Sequence, residues 1–190
     1  TMLSYLLNTY SVDIFPEAGH SPQKEYPNVI VNKIDNFINT NQPIPAPKIA
    51  ISNKDITIDC GRNDAISLLN NTQFSLVTIN NCQQKQITHL HAEKIVLNHS
   101  AASFNHLKIN NNNNYAMILH NSDVEIWGGS LTALTIAYIK NSQLEFNGVE
   151  LYANNALVIS NLPTTLNASL TQVHLNNTVF DWHGTIEVGL

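Results

Sequence analysis

Residues 120–131 read "HNSDVEIWGGSL", and residues 140–151 read "KNSQLEFNGVEL". The two stretches align Asn121 with Asn141, Val124 with Leu144, Glu125 with Glu145 and Ile126 with Phe146. One step further on, "SNLPTTLNASL" brings Asn161, Thr164, Thr165 and Leu166 into the same register. Upstream, an apolar-x-apolar-Asn/Asp pattern recurs as "ITID" (56–59), "VTIN" (77–80) and "IVLN" (95–98). A period near twenty residues marks a solenoid, because one short unit cannot bury its own apolar face and has to stack on the next.

Each unit reads as short strands. In "DVEIW" (123–127) the valine and isoleucine point one way and the glutamate the other, which is the two-residue period of a strand. A second strand precedes it in each unit: "AISLLNN" (65–71), "QITHLH" (86–91), "YAMILHN" (115–121), "LTIAYIKN" (134–141) and "NALVISN" (155–161). A shorter third one follows, as in "SLT" (130–132) and "ELY" (150–152). The fold expected is all-β: a right-handed parallel β-helix of about six coils, each of about twenty residues. Over roughly residues 50–182 this resembles the right-handed parallel β-helix of the pectin-lyase-like superfamily. The resemblance lies in the repeat and its asparagines and in no catalytic motif of that superfamily. It implies polysaccharide lyase or glycoside hydrolase chemistry as one function class.

The chain holds 28 asparagines among 190 residues, with only 12% charged residues. Asparagine tolerates left-handed backbone angles at turns, and amides stacked about 4.8 Å apart can hydrogen-bond from coil to coil. Asp59, Asn80, Asn98, Trp127, Asn147 and Asn167 are assigned to one strand-ending position, and Asn71, Asn121, Asn141 and Asn161 to the other corner. Between Asn98 and Asn121 the spacing lengthens, and five consecutive asparagines occupy 110–114. That insertion predicts a bulged-out loop, either a polar tip or a binding loop in which Asn112, Asn113 and Tyr115 are the candidate contacts.

The amino-terminal part has a different period. Ile30, Ile34, Phe37 and Ile38 in "PNVIVNKIDNFINTNQP" (27–43) fall on one helical face between two prolines. The expected organisation is an amino-terminal segment with a short capping helix over 1–48, followed by the β-helix over 49–190. Such a helix would cover the open end of the stack. "TMLSYLL" has neither a basic n-region nor a small-residue cleavage site and is not read as a signal peptide.

The net charge is −5, and Arg62 is the single arginine. That rules against a basic patch for nucleic acid. No apolar run is long enough to span a membrane, and no cofactor motif is present. Cys60 and Cys82 end "TIDC" and "TINNC" at equivalent corners of adjacent coils. They are either a disulfide, which would imply export, or two stacked buried thiols.

Three side-chain groups stand out. Glu125 and Glu145 face outward one coil apart, within the range a retaining glycosidase uses, or are a solvated pair. His89 and His91 alternate onto one face with His120 below, a candidate zinc or copper site or scattered surface histidines. With Leu69, Leu119, Ile139 and Ile159 pointing inward, Leu68, Ile118, Tyr138 and Val158 form an outward apolar stripe, to be covered either by residues 1–26 or by a second copy in a homo-oligomer; alternatively, a corner bulge reverses this facing and removes the stripe. Asp181 and His183 in "FDWHG" fall near the last coil without a partner acid. Because ionisable groups are scarce, the expected function is a non-catalytic module of a secreted, surface or phage-like protein, contacting a glycan or protein partner. The alternative is a polysaccharide lyase or hydrolase. An acid-lined groove with a basic residue beside Glu125 and Glu145 would favour the enzyme.

Overall fold

The computed structural model describes Asn28, Val31, Asn32, residues 47–162 and residues 164–188. The chain divides into two compact units, residues 1–46 and 47–190. In the first, Asn28, Val31 and Asn32 have helical backbone. The rest of the expected capping helix, and the segment 1–26, lie outside the described residues.

The second unit is an all-β parallel solenoid of about six turns. Its strands are β1 (Ala50–Ile51), β2 (Ile56–Asp59), β3 (Thr72–Asn80), β4 (Lys85–Thr88), β5 (His91–Asn98), β6 (Ala101–His120), β7 (Asp123–Lys140), β8 (Gln143–Asn147), β9 (Glu150–Ser160), β10 (Thr164–Leu175) and β11 (Thr178–Val188). All pairings are parallel except that of β11, which folds back antiparallel on β10. Each complete coil has three sides. Val124 pairs with Leu144, Glu125 with Glu145 and Ile126 with Phe146, so the repeat that opened the sequence is one of those sides.

The core is built from inward columns one residue wide. Ile87, Phe104, Ile126 and Phe146 stack in one of them, and Ile79, Leu97, Leu119 and Ile139 in another; every one of these side chains is fully buried. Alternation along each strand puts the intervening residues outside.

The coil turns by left-handed residues at two corners. The first corner stacks Asn81, His99, Asn121 and Asn141, with φ between 48° and 55°. The second stacks Asn71, His89, His106, Gly128, Gly148 and Leu170, with φ between 49° and 70°. Asparagine, histidine and glycine reach this region at the lowest cost, which accounts for most of both columns. Amides link the rungs: Asn98 Nδ2 donates to Asn80 Oδ1 at 2.8 Å, Asn141 Nδ2 to Asn121 Oδ1 at 2.8 Å, and Asn81 Nδ2 to Asp59 Oδ1 at 3.0 Å.

Directly after the first corner the chain turns inward through Cys82, Ser100, Ser122 and Ser142, all buried. Here a second ladder runs inside the wall. The Cys82 amide donates to Ser100 Oγ (3.1 Å), the Ser100 amide to Ser122 Oγ (3.1 Å) and the Ser122 amide to Ser142 Oγ (2.9 Å). Each hydroxyl in turn donates to the carbonyl two residues back. Ser122→Ala therefore strands the buried Ser100 amide and is expected to cost about 1–3 kcal/mol. A urea unfolding midpoint equal to that of the parent, at the same slope, would dismiss the ladder as a source of stability.

Four readings of the sequence are corrected by this geometry. "AISLLNN" is a single 3-10 turn over Ile66–Leu69 and not a strand. Asp59, Asn80 and Asn98 stack on His120 and Lys140, so they do not share a column with Trp127 and Asn147. Asn167 pairs with Glu145, two residues away from the assigned position. The asparagine run is a bulge counted within β6 rather than a separate loop: at the third bend Asn111 to Tyr115 matches Ala133 to Thr135 of β7, and Ile109 to Met117 matches Ala92 to Ile95 of β5. Cys60 and Cys82 are joined by a disulfide with a Cα separation of 4.9 Å, clamping the first turns together.

Candidate functional site

The side of the solenoid carrying β4, the starts of β6 and β7, β8 and the start of β10 is flat and polar. Its outward residues form three columns along the axis. The first is Ala101, Asp123 and Gln143, and the second is Gln86, Ser103, Glu125, Glu145 and Asn167. The third is Thr88, Asn105, Trp127, Asn147 and Ser169. The side chains hold one another in place. Ser103 Oγ donates to Glu125 Oε2 at 3.0 Å, and Asn147 Nδ2 to Glu145 Oε1 at 3.0 Å. Trp127 Nε1 lies 3.4 Å from Glu125 Oε2. At the end of the second column, Thr185 Oγ1 donates to Asn167 Oδ1 at 2.8 Å.

Two depressions lie along this side. The larger, about 660 Å³, is lined by Asp123, Glu125, Asn141, Gln143, Glu145 and Thr165 among others, with no lysine or arginine among the described residues of its lining. The smaller, about 250 Å³, shares Asp123 and Glu125 and adds Gln84, Lys85 and Gln86. The Lys85 ammonium is held by the Asp64 carboxylate, and that hydrogen bond keeps Asp64 below the usual carboxylate range. Arg62 sits by Asp59 (3.6 Å), where it lines a separate depression with Asn63 and Asn80. Glu125 and Glu145 thus stand on neighbouring rungs, both lining the larger depression, and Glu125 also lines the smaller one beside Lys85.

The three histidines do not converge. Alternation fails at His89 because it occupies the second corner, with φ 51°, and its ring stacks on His106 at 4.9 Å and 9°. His91 lies beyond the corner, paired with Gln73 and Lys108. His120 stacks under Asn98 on another side, edge-on to Tyr138 at 6.4 Å. Among the described residues no group of three or more His, Cys, Asp or Glu is placed to hold a metal ion.

Burial holds the His89 imidazole below the usual histidine range, and His106 adds to the effect. His91 is lowered by burial, then by Lys108 and His89. Both are therefore neutral in the fold at a pH where the unfolded chain already binds protons. Their contribution is complete above the unfolded histidine pKa of about 6.5 and declines as pH falls toward the folded values. His89→Asn keeps a residue suited to the left-handed corner. It is expected to reduce the loss of melting temperature between pH 7.5 and 5, and parallel pH profiles for variant and parent would refute this.

The apolar stripe is shorter than expected and partly re-assigned. Ile118 and Tyr138 are neighbours on the outside, flanked by Val96 and Ile159. Val158 instead pairs with Ala137 on the inner column, because β9 passes the third bend from Ala153 to Ala156 with one residue more than β7 uses. A slip of one residue exchanges the two faces of a strand. Leu68 is 58% exposed but belongs to the 3-10 turn, off the stripe. At the third bend Asn112 is exposed, and Asn111 Nδ2 donates to the Tyr115 carbonyl at 3.2 Å. Tyr115 faces the Tyr138 ring at 5.7 Å, and the side chain of Asn113 lies outside the described residues.

Asp181 and His183 belong to β11. His183 Nδ1 accepts the Leu170 amide at 3.2 Å, a structural contact at the second corner. Sequence reasoning placed Trp127 among corner ladder residues. Its position two residues after Glu125 was the available signal that it shares the glutamate's outward face.

Among the described residues, no helix is long and apolar enough to cross a membrane. No protein-family model matches the chain, and no curated protein or solved structure matches it.

Proposed function

We propose that the solenoid is a non-catalytic recognition module that holds a glycan chain along its flat polar side. The observation that carries this is the array of outward side chains, mostly hydroxyl, amide and carboxylate, with Ala101 and Trp127 as the exceptions. Its second and third columns run over five rungs, and the side is indented by an open groove rather than a closed pocket. A long linear ligand suits a surface that repeats along one axis. The disulfide supports an exported, surface or virion-borne setting, since such bonds persist in oxidising compartments.

The resemblance to pectin-lyase-like proteins bears on the same surface and keeps polysaccharide cleavage as the competing reading. Glu125 and Glu145 would have to be its acids. Against that reading, each carboxylate is engaged by neighbours on the wall, and among the described residues the larger depression has no lysine or arginine while Lys85 of the smaller one is engaged by Asp64. The test is to incubate the chain with a panel of polysaccharides and follow both retention and new chain ends. Retention without shortening is expected. Cleavage products that vanish in a Glu125→Gln/Glu145→Gln double variant would overturn the non-catalytic reading.

A further inference from the structure

Tryptophan is highly buried on average, and its large ring is costly to leave in water. Trp127 is nevertheless 39% exposed in the middle of the polar side. The rungs of its own column are Thr88, Asn105, Asn147 and Ser169, all small and polar, so the ring stands alone above its neighbours. Its indole nitrogen is turned toward Glu125, a partner that restricts the ring without covering it.

We propose that Trp127 is the stacking platform of a subsite for uncharged pyranose units, on a glycan that runs parallel to the solenoid axis. This rests on the glycan reading above and adds the ligand class and its orientation. The apolar C–H face of a pyranose matches an exposed aromatic ring, while its equatorial hydroxyls need acceptors and donors at the ring's edge. Asn105 lies one rung above Trp127 and Asn147 one rung below, with Ser103, Glu125 and Glu145 in the adjoining column. Rungs repeat every ~4.8 Å, close to the advance of one pyranose unit in an extended chain, so successive sugars meet successive rungs. Amides both donate and accept, and carboxylates accept from hydroxyls, so each rung can serve a neutral sugar.

Charge decides the class. Asp123 and Glu125 line both depressions and Glu145 lines the larger. Lys85, which lines the smaller depression, is engaged by Asp64. A uronate carboxylate would meet like charges without a counter-ion, whereas a neutral sugar meets only hydrogen-bonding groups.

The test is affinity electrophoresis of the full 190-residue chain. The gels contain hydroxyethylcellulose, galactomannan, pullulan or polygalacturonate. At least one neutral polymer is expected to retard the chain, and polygalacturonate is not. Trp127→Ala should melt at the parent's temperature and bind about ten-fold more weakly or worse, while Trp127→Phe keeps most of the retardation. Should Trp127→Ala misfold, Trp127→Asn, which copies the neighbouring rungs, takes its place. Undiminished retardation of a folded ring-less variant would overturn the platform and leave glycan binding standing. Equal retardation by polygalacturonate would overturn the neutral class alone. No retardation in any gel would overturn both this inference and the reading it rests on.

Discussion

Replacing Gly129 with alanine is expected to prevent the solenoid from folding, whereas the same change at Gly184 leaves it folded. Both glycines have φ of 104°, a conformation that L side chains rarely adopt. At Gly184 a Cβ would meet nothing within 4 Å, so Gly184→Ala measures the backbone cost alone, about 1–3 kcal/mol. At Gly129 the added Cβ would sit 2.0 Å from the Leu107 carbonyl oxygen and 2.8 Å from its carbonyl carbon. Those atoms are backbone, and Leu107 is the register partner of Gly129 on the preceding coil. Relief would require β6 and β7 to separate, yet these strands pair from Ala101 with Asp123 through to His120 with Lys140. The total is expected to exceed about 4 kcal/mol, the range reserved for collisions of this kind. Far-ultraviolet circular dichroism and urea melts of the two variants decide the matter, and equal losses would show that the close approach at Leu107 is not what selects glycine.

Much of this architecture was readable from residues 120–151, because the close likeness of the two stretches left the stacking of Val124 on Leu144 with no competitor. Alternation then assigned inside and outside correctly for Ile118, Leu119, Glu125 and Ile126. What failed was the identity of the corners. The coil has two left-handed corners, both recruit asparagine, and residue type does not say which of them Asn71 or Asn121 occupies. Leu170 shows the converse: it has φ 49° and is 76% exposed, and nothing about a leucine announces a left-handed turn. The extra residue in the bend of β9 was equally silent, since a bulge between Ala153 and Ala156 exchanges Val158 with Ile159 without altering the pattern of residue types. The serine ladder was visible in "HNS" and "KNS" but was overshadowed by the asparagines beside it. Trp127 was misassigned for a related reason: it occupies a rung where other coils carry Asn105 and Asn147, so column membership concealed its different chemistry.

Phe146→Ala is the second change expected to be severe, and its damage should be local. Phe146 is fully buried between Ile126 above and Ala168 below, and its ring lies 6.1 Å from that of Trp182. Trp182 is the one buried side chain of β11, 6% exposed, and it closes the carboxyl-terminal end of the core. Ala168 is too small to fill the space a missing phenyl ring would leave, and Trp182 is fixed by the pairing of its own strand, β11, with β10, so the cavity should persist. Deleting a buried phenylalanine under those conditions costs about 3–5 kcal/mol. In a stack where each coil touches only its neighbours, that cost falls on β8, β10 and β11 and leaves β3 and β5 intact. Phe104→Ala provides the contrast: it removes the same ring two rungs away, between Ile87 and Ile126, without touching Trp182. With only two tryptophans in the chain, a Trp127→Phe background isolates the Trp182 signal. Phe146→Ala should shift that emission to the red and speed amide exchange in β10 and β11, while Phe104→Ala leaves the emission in place. If exchange instead accelerated evenly from β3 to β11, the solenoid would be unfolding as one cooperative block, and the nearest-neighbour account of its stability would have to be given up.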